Sequence, residues 1–138
     1  MTFVIDASIS LSWCFGDERT ARTDGVLERL RTEEAVAPSI WPLEVANGLR
    51  SAERRGRIDE REMMGVTRLL NALPIRAEEL PLRRALSEVL PLARALAITA
   101  YDAAYVELAL RMGLPLATAD DRLASAAVAA GAQLLDQG

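Results

Sequence analysis

Residues 2–8 read TFVIDAS, a short apolar run of aromatic and β-branched side chains that ends at an acidic residue, Asp6. Such a run, followed by a helical pattern, predicts a buried strand that leads straight into a helix. Similar short runs recur at Ala35–Pro38, around Ile75, at Leu114–Thr118 and at Gln133–Leu135. Short apolar strands that alternate with helices favour an α/β fold: a short, mostly parallel central sheet flanked by helices on both faces.

The segments between the strands carry helical periodicity and recognisable helix ends. Pro42 lies where proline favours a helix start, Asp59 with Glu62 resembles a capping box, and Thr99 is a good cap. Gly113 and Gly131 predict helix ends. The predicted helices are 8–15, 18–31, 42–56, 61–73, 81–97, 100–112 and an alanine-rich helix that ends at residue 130.

Composition fits one globular domain over residues 1–138, without repeats, linkers or low-complexity segments. The chain is 51% hydrophobic, and its single cysteine, Cys14, cannot form an internal disulfide. It contains no histidine, which excludes Ser-His-Asp and Cys-His catalysis and the HExxH zinc site. All 16 basic residues are arginine, so lysine Schiff-base and P-loop chemistry are excluded as well.

The location of the protein is predicted from two apolar stretches. The first 15 residues lack a positively charged start and contain Asp6, which is unlike a signal peptide. The stretch from Leu123 to Leu135 is too short to span a bilayer and contains Ser125 and Gln133. We therefore expect a cytoplasmic protein without a membrane partner.

Four acidic residues follow predicted strands or begin predicted helices: Asp6, Glu44, Asp102 and Asp120. In open α/β sheets, the functional crevice lies beyond the carboxyl ends of the strands, so these residues should lie close together. Two carboxylates about 5 Å apart repel by roughly 3 kcal/mol at an effective dielectric near 20. A divalent cation relieves that repulsion, and an all-oxygen ligand set selects Mg²⁺ or Mn²⁺. Such a metal would activate water and clamp a phosphodiester oxygen.

Each of these acids also has a purely structural interpretation. Asp6 and the pair Asp120-Asp121 could cap the helices that follow them, and Thr99 with Asp102 resembles a capping box. Glutamate is common in a first helical turn, as at Glu44. Only the presence of all four, on four different segments, favours a functional site.

The motifs that carry these acids resemble those of the PIN-domain nucleases, specifically the VapC-type toxins of bacterial toxin–antitoxin pairs. They are VIDAS (4–8), PLEVANGL (42–49), TAYDAAYVELA (99–109) and PLATADDRLA (115–124), and together they extend over nearly the whole chain. The resemblance implies a metal-dependent endoribonuclease whose catalytic and metal-binding residues are Asp6, Glu44, Asp102 and Asp120. It also implies an RNA substrate, a cognate antitoxin and a homodimer.

Four further residues are candidates for contacts to the acids or to phosphate. The resemblance matches Ser8 to a small hydroxyl residue near the first acid and Asn47 to an amide after the second. Asn47 shares a helix face with Glu44 and could orient its carboxylate, while Ser8 could equally cap the first helix. Thr118 could act as Ser8 does, and Asp121 is either a capping residue or an outer contact.

A net charge of −4 is unusual for a protein that binds nucleic acid. Without the four proposed ligands, however, 16 acidic residues remain against 16 arginines. An arginine cluster at positions 50, 54, 55 and 57 could line an RNA groove, or could simply complement the end of its helix. The aromatic residues Trp13, Trp41, Tyr101 and Tyr105 could stack on bases, although core or dimer contacts are more common for such residues.

Three other functions are compared with the sequence. Phosphoaspartyl enzymes such as receiver domains and haloacid-dehalogenase-like phosphatases need a lysine, and the latter need a second aspartate where this chain has Ser8. An RNA-processing nuclease outside a toxin–antitoxin pair and a catalytically silent binding module stay open. We expect apolar helix faces, either Leu69, Leu70 and Leu73 or the surroundings of Trp13, to serve the dimer.

Overall fold

The computed structural model describes residues 2–135 and contains one sheet of four parallel strands. Their order in the sheet is β3-β2-β1-β4. The register pairs Val4 with Val36 on one side and with Leu116 on the other, which places β1 in the interior of the sheet. The strands are β1 (Thr2–Ile5), β2 (Glu34–Pro38), β3 (Ile75–Glu78) and β4 (Leu116–Ala117).

Helices connect the strands and pack on the sheet, as the sequence predicts for an α/β fold. The described residues form α1 (Ala7–Ser12), α2 (Ala21–Arg29), α3 (Trp41–Arg54), α4 (Glu60–Ala72), α5 (Leu82–Leu96), α6 (Ala100–Met112) and α7 (Asp121–Ala129).

Alternate residues of the strands face two separate cores. Phe3 and Ile5 point into a core shared with Ile9 of α1, with Trp13 just after that helix and with Val26 of α2. The intervening Val4, with Val36 and Leu116 of its neighbours, packs against α6 and α7 on the other face. This two-residue period confirms that helices cover both faces of the sheet.

Several predicted boundaries are wrong by a few residues. The helix predicted at 8–15 ends at Ser12, and the one predicted at 18–31 starts only after Thr20, because Thr20 and Thr23 form a capping box there. The strand predicted at Leu114–Thr118 is only two residues long. Within the described residues, the last predicted strand, Gln133–Leu135, is a single bridge from Leu134 to Leu116.

Helix α5 contains a π-turn over Ala85–Val89, just before Pro91. Proline in a helix interior lacks the N–H for an i→i−4 hydrogen bond and clashes with the preceding turn. The wider turn accommodates Pro91 without breaking the helix, which continues to Leu96. Glu107 of α6 binds Arg84 of α5 at 3.1 Å and so joins the two helices.

Across residues 2–135, no single helix has both the length and the apolar composition to cross a membrane. The pair α5 and α6 meets that criterion only when the two are taken together, and they are bent by 110° where they meet.

Candidate active site

The loops after β1 and β4 leave the sheet in opposite directions. The chain enters α1 on one face after β1, and it enters α7 on the other face after β4. Because β1 and β4 are adjacent and parallel, a crevice opens between their carboxyl ends. In open α/β sheets, such a switch point is where ligands bind.

Asp6 lies at the bottom of this crevice and is 4% exposed. Its Oδ1 accepts hydrogen bonds from the Ser8 hydroxyl at 2.7 Å and from the backbone N–H of Ile9 at 3.1 Å. Its Oδ2 accepts a short hydrogen bond from the hydroxyl of Thr118, at the end of β4. Asp6 therefore caps α1, as the structural interpretation requires, and also joins the two strands that form the crevice.

Ser8 and Thr118 connect Asp6 to the chain that leads to Asp120. The Ser8 Oγ accepts a hydrogen bond from the N–H of Ala119 at 2.9 Å, and the Thr118 Oγ1 accepts one from the N–H of Asp120 at 3.0 Å. Asp120 in turn caps α7, because its Oδ1 accepts from the N–H groups of Arg122 and Leu123. Its Oδ2 accepts no hydrogen bond from the described residues, and Asp120 lines the pockets beside the crevice.

The carboxylates are close enough to affect one another. Burial raises the pKa of Asp6 to about 6, despite the hydrogen bonds that favour its charged form, and the charge of Asp120 adds to the increase. Burial and the charge of Asp120 also raise the pKa of Asp102. Asp120 is thus the shared electrostatic neighbour of the other two aspartates.

Glu44 joins the group through a residue that the sequence analysis assigned to the core or to base stacking. The Tyr105 hydroxyl, in α6, donates a short hydrogen bond to Glu44 Oε1 in the first turn of α3. Burial raises the pKa of Glu44, and the charge of Asp102 raises it further. Burial, with the neighbouring Glu44, also raises the pKa of Tyr105, so its hydroxyl stays protonated and can donate.

Two open pockets meet at Asp120. One, of about 330 Å³, lies between α6 and α7 and is lined by Asp102, Asp120, Thr99 and Arg122. The other, of about 640 Å³, extends from Asp120 past Ser8 towards α2. The free oxygen of Asp120 is therefore accessible to a ligand that occupies both pockets.

The donor set fits a hard divalent cation in its chemistry, because all four side chains offer carboxylate oxygens. The acidic side chains do not surround a single cation position, since no three of them within residues 2–135 converge on one point at metal-binding distance. Asp6 and Glu44 instead point at hydroxyl donors of their own. Metal binding would require the side chains of these two residues to reorient, whereas Asp120 Oδ2 has no hydrogen-bond partner among the described residues.

The two remaining candidate residues, Asn47 and Asp121, both lie at the surface. Asn47 is exposed and forms no hydrogen bond with Glu44 in the described structure. The contact that orients the Glu44 carboxylate, which the sequence predicts for Asn47, is made by Tyr105 instead. Asp121 is exposed in the first turn of α7. Their contacts to phosphate stay predictions.

The arginine cluster lies apart from the acids. Arg54 is ten residues beyond Glu44, or about 15 Å along α3 at the usual helical rise. Arg50 pairs with Glu53, and Arg57 pairs with Asp17 and Glu18. This agrees with the structural interpretation of the cluster as a charged helix end.

The residues of the predicted dimer faces lie in the core or pack against it, and the dimer itself stays a prediction. Trp13 is buried in the core and donates its Nε1 hydrogen bond to the Thr23 carbonyl. Leu69, Leu70 and Leu73 pack against the same core. Burial raises the pKa of Cys14 to about 11, so this thiol is a poor nucleophile.

Tyr105 was missed as a site residue because its neighbours in the sequence are apolar. Its hydroxyl was the available signal, since a buried tyrosine hydroxyl needs a hydrogen-bond partner. Ser10 was missed too: it accepts from Trp41 Nε1 at 3.0 Å and donates to the Asp6 carbonyl, which fixes α3 to the crevice. No sequence spacing connects residues 10 and 41.

The raised pKa of Asp6 predicts a pH-dependent stability. The folded protein favours the protonated carboxyl, so this group stabilises the fold below about pH 4, and the contribution is lost as the pH rises through about 6. Asp6→Asn in EDTA should therefore be more stable than the wild type at pH 8, by about 1–3 kcal/mol. Urea unfolding at pH 4, 6 and 8 should show this difference shrink towards acid pH. A stability difference that is equal at pH 4 and pH 8 would contradict the burial argument.

Comparison with known proteins agrees with this geometry. The crystal structure of PAE2754 from Pyrobaculum aerophilum is similar to this chain, with a TM-score of 0.67 at 26% sequence identity, and the match covers 91% of this chain and 87% of that one. No curated protein sequence matches the chain. The family model of the PIN domain matches residues 3–129, which include all four acids. The chain therefore belongs to the PIN-domain family.

Proposed function

We propose that this protein is a metal-dependent endoribonuclease and the toxin of a type II toxin–antitoxin pair. PIN domains are typically metal-dependent nucleases, which supplies the general class. The observation that carries the proposal is that acidic side chains share the crevice between β1 and β4, where the charge of Asp120 raises the pKa values of Asp6 and Asp102. A structural capping role alone would not require these acids to share one crevice.

The residues that would hold Mg²⁺ or Mn²⁺ are Asp6, Asp102, Asp120 and Glu44. Such an ion supplies an activated water and a clamp for phosphodiester oxygens. The protein's own contribution is orientation: Thr118 and Ser8 hold the carboxylate of Asp6, and Tyr105 holds that of Glu44. Because the pKa of Asp6 is raised to about 6, this carboxyl is ionised and able to bind a cation above that pH.

The toxin assignment rests on the resemblance of the four acid-bearing motifs to those of VapC-type toxins. A cognate antitoxin and a cytoplasmic location belong to the same proposal. A gene for a small DNA-binding protein directly upstream would support the toxin role, whereas its absence would favour an RNA-processing nuclease.

We also propose a homodimer, on a surface different from the one that the sequence suggested. Three leucines of α5, Leu82, Leu86 and Leu90, are exposed to solvent. Apolar side chains grouped on one helix favour contact with another protein surface. Light scattering measures this state directly.

The proposed activity predicts metal-dependent cleavage of RNA. Purified protein should cleave a structured RNA in Mg²⁺ or Mn²⁺ and should be inactive in EDTA. Asp102→Asn should reduce the rate at least 100-fold, because it removes a charged ligand at the centre of the site. The measurement is single-turnover cleavage of a labelled RNA on a denaturing gel.

Glu88→Gln is the matched control, because Glu88 is an exposed acid on α5. It should cleave as the wild type does. Equal cleavage with and without EDTA would exclude the metal mechanism. A wild-type protein that is correctly folded yet inactive on RNA and DNA with either metal would instead favour the silent binding module.

The contact between Tyr105 and Glu44 predicts an effect on the pH profile. The hydrogen bond from Tyr105 lowers the pKa of Glu44 and opposes the effect of burial. Tyr105→Phe should therefore raise that pKa further and move the acid limb of the cleavage rate to higher pH, so that the loss of rate is largest at the acid end of the profile. Rates measured from pH 5.5 to 8.5 test this shift.

Tyr101→Phe is the control for this substitution, because Tyr101 lies four residues earlier on the same helix and is 60% exposed. It should leave the profile unchanged. If Tyr105→Phe lowers the rate equally at every pH, the hydroxyl acts only through packing and does not orient Glu44.

A further inference from the structure

The larger pocket beside Asp120 contains a positively charged residue that the proposed metal site does not use. This pocket, of about 640 Å³, is lined on one side by Ser8 and Asp120 and on the other by Thr20 and Arg22 of the α2 region. Its volume is in the range of pockets that accept small ligands. Asp120 lines both this pocket and the smaller pocket that contains Asp102.

Arg22 reaches across the fold to this place. It lies in the first turn of α2 and is partly buried, and its Nη2 donates a hydrogen bond of 2.9 Å to the carbonyl of Thr118. Thr118 is the same residue that holds Asp6. The guanidinium is thus fixed beside the acidic crevice by a residue 96 positions away in the chain.

Arg22 forms no ion pair among the described residues. Glu18 lines the same pocket but pairs with Arg57, and the Oδ1 of Asp120 is occupied by the N–H groups that it caps. The Arg22 Nε is shielded from solvent and has no acceptor within residues 2–135. A partly buried guanidinium with no ion pair and an unused N–H favours an anionic ligand.

The chemistry of the pocket favours a phosphate. Guanidinium groups bind phosphate oxygens through several N–H donors at once. Thr20 adds a hydroxyl whose only donated contact is a long one, 3.4 Å, to Thr23 Oγ1, so it is able to turn towards a ligand. The start of α2 adds the partial positive charge of a helix N-terminus.

We propose that this pocket, termed the Arg22 pocket, binds a backbone phosphate of the RNA substrate next to the phosphate that is cleaved. This inference rests on the proposed nuclease function. In this arrangement, the cleaved phosphate lies at the four acids, and the strand continues past Asp120 towards α2. Arg22 binds and positions the substrate without contacting the reacting atoms.

The test is RNA binding in EDTA, where the proposed nuclease is inactive. The affinity of a fluorescein-labelled, single-stranded 12-nucleotide RNA is measured by anisotropy between 50 and 200 mM NaCl. Arg22→Gln should weaken binding about tenfold and should reduce the slope of log K against log salt by about 0.7, the value for one phosphate contact on a single strand. Arg22→Lys should keep that slope, because it keeps the charge, but should bind more weakly than the wild type.

Arg19→Gln is the matched control, because Arg19 is a nearby exposed arginine that pairs with Asp24 outside the pocket. It should bind RNA as the wild type does. Thermal melting of each variant measures any general loss of structure. Such a loss would leave the slope of log K against log salt unchanged.

Two results would overturn the Arg22 pocket: an unchanged affinity and slope in Arg22→Gln, or an equal change in Arg19→Gln. Cleavage assays of the same preparations separate this outcome from failure of the nuclease function. If the wild type cleaves RNA with Mn²⁺ but Arg22→Gln binds normally, the pocket is wrong and the nuclease stands. If Arg22→Gln binds more weakly and the wild type does not cleave, the pocket stands as an RNA site and the nuclease function is wrong.

Discussion

The hydrogen bond from Thr118 to Asp6 is the contact on which the site depends. It connects the carboxyl ends of two adjacent parallel strands whose chains leave on opposite faces of the sheet. The carboxylate is buried as a result, and its charged form is disfavoured even with three hydrogen-bond donors around it. The fold therefore keeps an acid where an uncharged residue would be more stable. Retaining such a group is typical of a functional site.

The other site residues are arranged around this contact. The same Thr118 hydroxyl accepts a hydrogen bond from the N–H of Asp120, and the Thr118 carbonyl accepts one from the guanidinium of Arg22. Acidic side chains and the guanidinium of Arg22, which forms no ion pair among the described residues, thus lie beside the same end of β4. A phosphodiester with a divalent cation on one phosphate and an arginine on the next matches this distribution of charge.

The sequence was sufficient to predict the fold and the positions of the four acids along the chain. Strand ends at residues 6 and 118 and helix caps at residues 99 and 120 are local features, and local patterns predict them. The match to the PIN-domain model confirms the fold, and the choice of these four acids as the site stays a prediction.

Contacts between distant segments could not be predicted in the same way. The hydroxyl of Tyr105 lies in an apolar helix, and nothing in its spacing indicates that it reaches Glu44, 61 residues away. The same is true of Arg22, whose partner is Thr118, whereas two members of the conspicuous arginine cluster, Arg50 and Arg57, pair with surface acids. Charge density along the sequence was therefore a poor guide to which arginine faces the crevice.

The central claim is that the carboxylates around Asp6 form one cation site. The most direct test is a Mn²⁺ titration at pH 7.5, followed by electron paramagnetic resonance of the free ion, on the wild type, Asp6→Asn, Asp102→Asn and Glu88→Gln. We expect saturable binding to the wild type and to Glu88→Gln, and binding at least tenfold weaker in each of the two aspartate variants. Mn²⁺ affinity that is the same in all four proteins would contradict the account.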